Sequence, residues 1–258
     1  MRRQRSEGFF LCLVAVGTLF LGLAVPGAAQ TSAPAQGWEF ELTGFAWFSG
    51  LTGTIGVGES SQHVSTSFSD ISKKVASHFA ADFEGRDGKW GFVLFPYYVL
   101  LKDSEPTPYG FNVDVSAKTI MVGAQGLYQA YENKDVRLEV LFGARYNDMV
   151  DDINAPGSGY PPYHAEYTWL DPLVGFDARY RLGSAWLLGL RGDIGGFGVG
   201  SKLTWDVIAA IDWRVSKLIS LKAAYGVLST DYETGSGDSR FVYDVRQEGP
   251  VLGVTFHF

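Results

Sequence analysis

From residue 38 onward, apolar and polar side chains alternate in steps of two. In the last segment Leu252, Val254, Phe256 and Phe258 share one face, and Val251, Gly253, Thr255 and His257 the other. Trp38, Phe40, Leu42, Ala46 and Phe48 alternate with Glu39, Glu41 and Thr43. Leu170, Val174, Phe176, Ala178 and Tyr180 alternate with Trp169, Asp171, Asp177 and Arg179. Leu203, Trp205, Val207, Ala209, Ile211 and Trp213 alternate with Lys202, Thr204, Asp206 and Asp212. This is the period of a β-strand with two unlike faces. A soluble sandwich alternates in the same way, so period alone leaves the class open.

The two faces differ in kind. The apolar face carries almost no charge over about ten residues per strand, the height at which a tilted strand crosses a hydrocarbon layer. The other face holds charges of both signs: Glu39, Glu41, Asp82, Glu84, Arg137, Glu139, Arg145, Asp171, Asp177, Arg179, Arg191, Asp193, Asp206, Asp212 and Lys222. A sandwich turns such a face to water, whereas a membrane barrel turns it to a lumen where opposite charges pair. Short links at 86–89, 132–135, 181–184 and 215–217 alternate with long polar ones at 50–74, 102–110, 147–162, 194–200 and 231–248, the expected asymmetry of turns on one side and loops outside. Beside the short links the apolar face carries Trp38, Trp90, Tyr128, Tyr180, Trp186, Trp213 and Phe258, an interfacial belt, with Phe48, Tyr98 and Tyr146 at the opposite ends.

The pattern therefore predicts an all-β fold, a closed antiparallel transmembrane β-barrel of about ten strands (range about 8–12). The expected strands lie near 38–49, 75–85, 89–101, 111–130, 136–147, 163–180, 185–193, 201–213, 218–230 and 240–258. The stretch 50–74 is ambiguous. Residues 54–58 and 62–68 could add a hairpin and make twelve strands. Residues 67–75 read as a short helix capped by Ser67 or Ser69, able to close one mouth or enter the lumen.

The first residues change the picture of location. Arg2, Arg3 and Arg5 precede an apolar run from Phe9 to Val25 and small residues at Gly27, Ala28 and Ala29. This reads as a signal peptide at 1–29, followed by a linker at 30–37 and the barrel at 38–258. A membrane-anchoring helix is the rival reading. The single cysteine, Cys12, lies in that segment without a lipoprotein processing pattern, so the mature chain has no thiol chemistry. The net charge is −7, and removal of the Arg-rich segment makes it more negative, which excludes nucleic acid as a partner. Thirty-two glycines and 15% aromatics fit an all-β chain.

The terminal run Val251-Leu252-Gly253-Val254-Thr255-Phe256-His257-Phe258 resembles the closing strand that barrel assembly machinery reads, with Phe258 as the specific part. Phe68-Ser69-Asp70-Ile71, Glu84-Gly85-Arg86, Trp90-Gly91, Trp169-Leu170-Asp171-Pro172-Leu173-Val174-Gly175, Gly192-Asp193-Ile194-Gly195-Gly196-Phe197-Gly198 and Gly249-Pro250 look like a poorly characterised family of small bacterial outer-membrane β-barrels, akin to the OmpA-like and OmpW-like transmembrane barrels. The resemblance implies the barrel and its location but no agreed activity. Phe95-Pro96 departs from it and implies a break or bulge in that strand.

Candidate chemistry is sparse. Gly195 to Gly200 superficially suggests a phosphate loop, but without a βαβ setting it reads as a tight loop. Glu41, Asp82, Glu84, Arg137, Glu139, Arg145, Asp171, Asp177, Arg179, Arg191, Asp193, Asp206, Asp212 and Lys222 form an expected lumen polar network, either a paired filling or a lining for a polar solute. Asp148, Asp151, Asp152, Asp231, Glu233 and Asp238 are acidic loop positions that could hold Ca²⁺ or bridge lipopolysaccharide, although ordinary solvated loops explain them. His63, His78, His164 and His257 show no metal spacing; His164, near Ser158 and Glu166, is the one candidate for rim-site catalysis. The expectation is a structural barrel or a narrow pore for small solutes, without catalysis, cofactor or metal. Its partners are outer-membrane lipid and lipopolysaccharide, and the assembly machinery through Phe258. A rim-site lipid-modifying enzyme and a surface-loop ligand-binding barrel are the alternatives.

Overall fold

A computed structural model describes residues 37–258; the expected signal peptide at 1–29, and the linker up to residue 36, lie outside the described residues. The strands are β1 (Glu39–Trp47), β2 (Gly50–Val57), β3 (Ser60–Thr66), β4 (Val75–Asp87), β5 (Trp90–Pro106), β6 (Asn112–Glu132), β7 (Val136–Asn154), β8 (Tyr163–Leu182), β9 (Trp186–Gly195), β10 (Leu203–Arg214), β11 (Ile219–Thr234) and β12 (Phe241–His257). A short helix α1 (Phe68–Ser72) joins β3 to β4, and a 3-10 turn spans Gly237–Ser239. Every pairing is antiparallel, in the order β1-β4-β5-β6-β7-β8-β9-β10-β11-β12, and β12 returns to β1, closing a ring of ten. Closure gives every strand of that ring a partner on each side.

The hairpin weighed for residues 54–68 does form, but it does not enlarge the ring. β1 and β2 run in succession along β12, from Glu41↔His257 to Trp47↔Val251 and then from Gly50↔Glu248 to Val57↔Phe241. β2 and its partner β3 thus stand on top of the barrel as a rim. Ser67 caps α1, its hydroxyl accepting from the Asp70 amide. The helix does not enter the lumen: Phe68 packs edge-on against Phe48, a residue of the outward face, at 5.0 Å.

The outward face is the apolar one. Phe142, Val174, Phe176, Leu190, Val207 and Leu252 are exposed, while Asp177 and Glu84 are buried inside. Trp38, Trp90, Tyr128, Tyr180, Trp186, Trp213 and Phe258 all lie exposed at the short-turn end. Trp90 meets Tyr128 at 4.9 Å, and Trp186 stacks on Trp213 at 5.9 Å. A soluble core would reverse every one of these positions. An apolar girdle bounded by aromatic residues is what hydrocarbon and its interfaces require of a spanning barrel.

Two expectations need correction. Most of the long links are strand, not loop. β7 continues to Asn154 and β8 starts at Tyr163; β11 continues to Thr234 and β12 starts at Phe241; β5 reaches Pro106. Strands of 17 to 21 residues in β5 to β8 exceed the roughly ten that a membrane needs, so the ladders rise above it. The alternation persists there because polar side chains face water outside while aromatic ones fill the inside. Pro96 neither breaks nor bulges β5. It keeps its place opposite Val122 of β6, and the pairs Ala81 and Asp82 would make with β5 are lost instead. Proline has no N–H to donate, so the interruption falls on one side only.

Candidate functional site

The lumen is filled in layers. Nearest the short turns, Arg137 holds Glu132 through two hydrogen bonds of 3.1 Å, and Lys222 lies 3.6 Å from Asp212. His257 bonds Ser220 at 2.8 Å and Glu41 at 3.1 Å. These groups sit around the mouth of a cavity of about 360 Å³ that occupies the lower lumen.

Above them three guanidinium groups cross the barrel. Arg86 of β4 grips Glu139 of β7 with Nε at 3.0 Å and Nη2 at 2.9 Å, and gives Nη1 to Glu84 at 2.6 Å. Arg179 of β8 donates to Asp177 at 3.0 Å, to Glu41 of β1 at 3.2 Å, and to Glu84. Arg191 of β9 donates to Asp177 at 2.8 Å and to Asp82 of β4 at 2.9 Å, and also pairs with Glu84. Strands on opposite sides of the ring are thereby tied through Glu84. A charge here is stable only with its partners, because each ion has left bulk water. One level higher, Arg145 donates to both carboxylate oxygens of Asp193 at 3.0 Å, and Gln125 to Asp193 at 3.0 Å. Asp206 lines the same cavity and, among the described residues, makes no salt bridge.

Asp171 stands apart from this ionic set. Fully buried, it accepts from the Ser201 amide at 2.6 Å, the Ser201 hydroxyl at 2.8 Å and the Trp169 indole at 3.0 Å. The glycine-rich stretch is thus a tight loop folded onto the wall. Gly196 has φ 82°, and a Cβ there would meet the Ser201 hydroxyl at 2.2 Å.

At the outer end the lumen turns aromatic. β9 and β10 have 10 and 12 residues, fewer than β8 and β11, which pass beyond them. Above that hairpin the strands on either side of it come into contact. Trp169 of β8 stacks on Tyr232 of β11 at 4.1 Å, and Tyr167 stacks on Phe241 of β12. Tyr243 and Val245 complete this buried cluster, flanked by Leu51, Ile55 and Met149.

Sequence reasoning missed Arg86 in the network because it was read as part of a turn, although it shares the parity of Asp82 and Glu84. It also missed Ser201 and the aromatic closure. The candidate rim residues are separate from the lumen. His164 meets Asp152 at 2.7 Å with both side chains more than half exposed, while the Ser158 hydroxyl donates to the Ala155 carbonyl at 2.6 Å. The acidic position Glu233 is taken by Lys202 and Arg240. Among the described residues no group of three His, Cys, Asp or Glu converges as a metal set.

Such a ring, with an apolar outside, an ionic inside and long strands above the membrane, defines a small bacterial outer-membrane β-barrel, and the outer membrane is where the chain resides. No protein-family model matches the chain, and no curated protein matches it. Among solved structures, the outer-membrane protease OmpT of Escherichia coli is 8% identical over 89% of this chain and 99% of that one, with a TM-score of 0.56. The transport unit of the Escherichia coli autotransporter AIDA-I is 12% identical over 96% and 97%, with a TM-score of 0.45. Ail of Yersinia pestis, in complex with a heparin analogue, is 11% identical over 87% and 100%, with a TM-score of 0.37. The likeness to OmpT concerns the fold alone.

Proposed function

We propose that the chain is a closed, non-conducting outer-membrane barrel: a structural scaffold that holds a rigid rim above the membrane. The observation that carries this reading is the aromatic closure of the outer lumen above a lower lumen crossed by ion pairs. Glu84 is bound by guanidinium groups from three strands, and Trp169 stacks on Tyr232 across the outer end at 4.1 Å. A small solute that passed the ionic layer through the cavity would still have to displace the aromatic stack. Catalysis is not part of the proposal, since the His164–Asp152 pair is solvated and Ser158 is engaged elsewhere. Lipid and lipopolysaccharide are the proposed surroundings of the girdle, and the exposed Phe258 is the group offered to assembly machinery.

Planar-bilayer recording tests the reading. The wild-type barrel is expected to give no steady current. Trp169→Ala with Tyr232→Ala and Arg191→Ala should open a measurable one. A steady ohmic conductance through the unmodified protein would refute the closed-barrel reading.

A further inference from the structure

One stretch of the wall is incomplete. β1 and β4 pair from Glu39↔Arg86 to Gly44↔Ala81 and then separate. Continued in register, Phe45 to Ser49 would lie beside Ala80 to Ala76, yet no pairing forms there. Higher up, β3 takes the same side of β2, beginning at Leu51↔Thr66. The upper part of β4 is held by β5 alone, from Val75↔Leu101 to Ala80↔Tyr97. The result is a window framed by β1, β4 and α1.

Its surroundings are apolar on both sides. Outside, Ala46 of β1, Phe48 just after it and Phe79 of β4 belong to the lipid-facing surface, and Phe79 is 56% exposed. His78, although on the lumen parity, is exposed as well. Ser67, Ser69, Asp70, Lys73 and Lys74 lie at the upper frame, where the polar interface begins. Inside, Ala80, Tyr97, Met121 and Leu228 form a buried cluster joined by Phe45, Trp47, Phe95 and Val99. Phe45 stacks on Phe95 at 5.7 Å, and Trp47 meets Tyr97 edge-on at 6.5 Å. Phe45, Trp47 and Phe95 also line the upper end of the lumenal cavity, whose larger part lies among the charged groups below. The ionic layer lies below this belt and the Trp169–Tyr232 stack above it.

We propose that the window admits one acyl chain of an outer-leaflet lipid into this apolar belt, where it rests against Phe45, Trp47, Phe95 and Tyr97. Hydrocarbon is the medium that touches the window from outside, so the occupant is already at hand. Placing methylene groups against these rings is favourable by the ordinary burial of apolar surface. The charged layer below stops the chain from crossing the barrel, so occupancy is compatible with a closed lumen.

Tryptophan quenching by phosphatidylcholine brominated on its acyl chains tests this in reconstituted vesicles. Three single-tryptophan proteins, with the other six tryptophans changed to Phe, retain Trp47, the lipid-facing Trp213 or the lumenal Trp169. Trp47 should be quenched within about twofold of Trp213, and Trp169 far less. Ala80→Phe, which fills the belt, should lower Trp47 quenching at least twofold. If the multiple replacement does not fold, the quenching lost from wild type on Trp47→Phe alone gives the same measure. Trp47 quenching closer to that of Trp169, or unchanged by Ala80→Phe, overturns the proposal.

Discussion

Side chains of the lower lumen hold one another by charge: Arg86, Arg179 and Arg191 converge on Glu84. Those of the upper lumen hold one another by stacking, Trp169 on Tyr232 and Tyr167 on Phe241. The local number of strands separates the two. In the lower part all ten strands are present, and the ring keeps its walls apart. The space between them is bridged by long charged side chains, each satisfied by a partner of opposite sign across it. In the upper part the short β9–β10 hairpin has ended, the walls meet, and only flat apolar groups fit the remaining gap. Interior chemistry in this barrel follows circumference, and the seam between the layers is also where the wall beside β1 opens.

Breaking the ionic half should have the largest effect. Arg191→Ala takes from Asp82 its one salt-bridge partner among the described residues and leaves Asp177 and Glu84 to Arg179, and removing one member of a buried ion set costs about 3–5 kcal/mol. The midpoint of heat-induced band shift in detergent gels should fall accordingly. Adding Glu84→Gln should recover part of the loss, since one excess negative charge is then gone. Equal stability of Arg191→Ala and wild type would mean that water alone satisfies these carboxylates, and the contrast between halves would fail.

A gentler change probes the aromatic half. Trp169→Phe keeps a ring for stacking on Tyr232 but removes the indole donor to Asp171. Asp171 retains both bonds from Ser201, so the cost should be about 1.5–3 kcal/mol, the range for one hydrogen bond to a charged group. Asp171→Ala should cost more than this and free the 196–201 loop to proteolysis. A larger loss from Trp169→Phe than from Arg191→Ala would invert the proposed hierarchy.

How much of this was legible follows from the range over which each feature is encoded. The face of every strand residue is local, so period two placed Phe176 outside and Asp177 inside without reference to other strands. The helix at Phe68–Ser72 was legible from its serine cap. Partner choice is not local: whether Glu84 meets Arg179 or Arg191 depends on the stagger of strands across the ring. The upper closure needs β8 to reach β11 past a short hairpin, which shows only when strand lengths are compared. Residues 147–162 and 231–248 looked like loops because their outward positions are polar, while Met149, Tyr232 and Phe241 carried the continuing ladder on the other face. The window left no mark of its own, since Phe45 to Ser49 alternate as a paired strand would.

The smallest effects are expected in the rim, where charge pairs are exposed and screened. Glu233 accepts from Lys202 and from Arg240, the latter at 2.6 Å, and these two bonds, that from Lys202 first, hold its carboxyl below its ordinary value. The Glu233 bond in turn raises Lys202 above the ordinary lysine value. The lowered carboxylate contributes fully above its unfolded value and is lost as pH falls through the folded one. The raised amine contributes fully below its unfolded value and is lost as pH rises through the folded one. The pair should therefore hold the β11–β12 tip across the neutral range and release it below about pH 4 or above about pH 10. Amide exchange at Phe241 and Val242, measured relative to an unstructured peptide at each pH, should rise at both limits while Leu188 and Leu190 in the girdle stay unchanged. Glu233→Gln should abolish the acid limb of that profile, and an acid limb that survives the substitution would assign the release to another group.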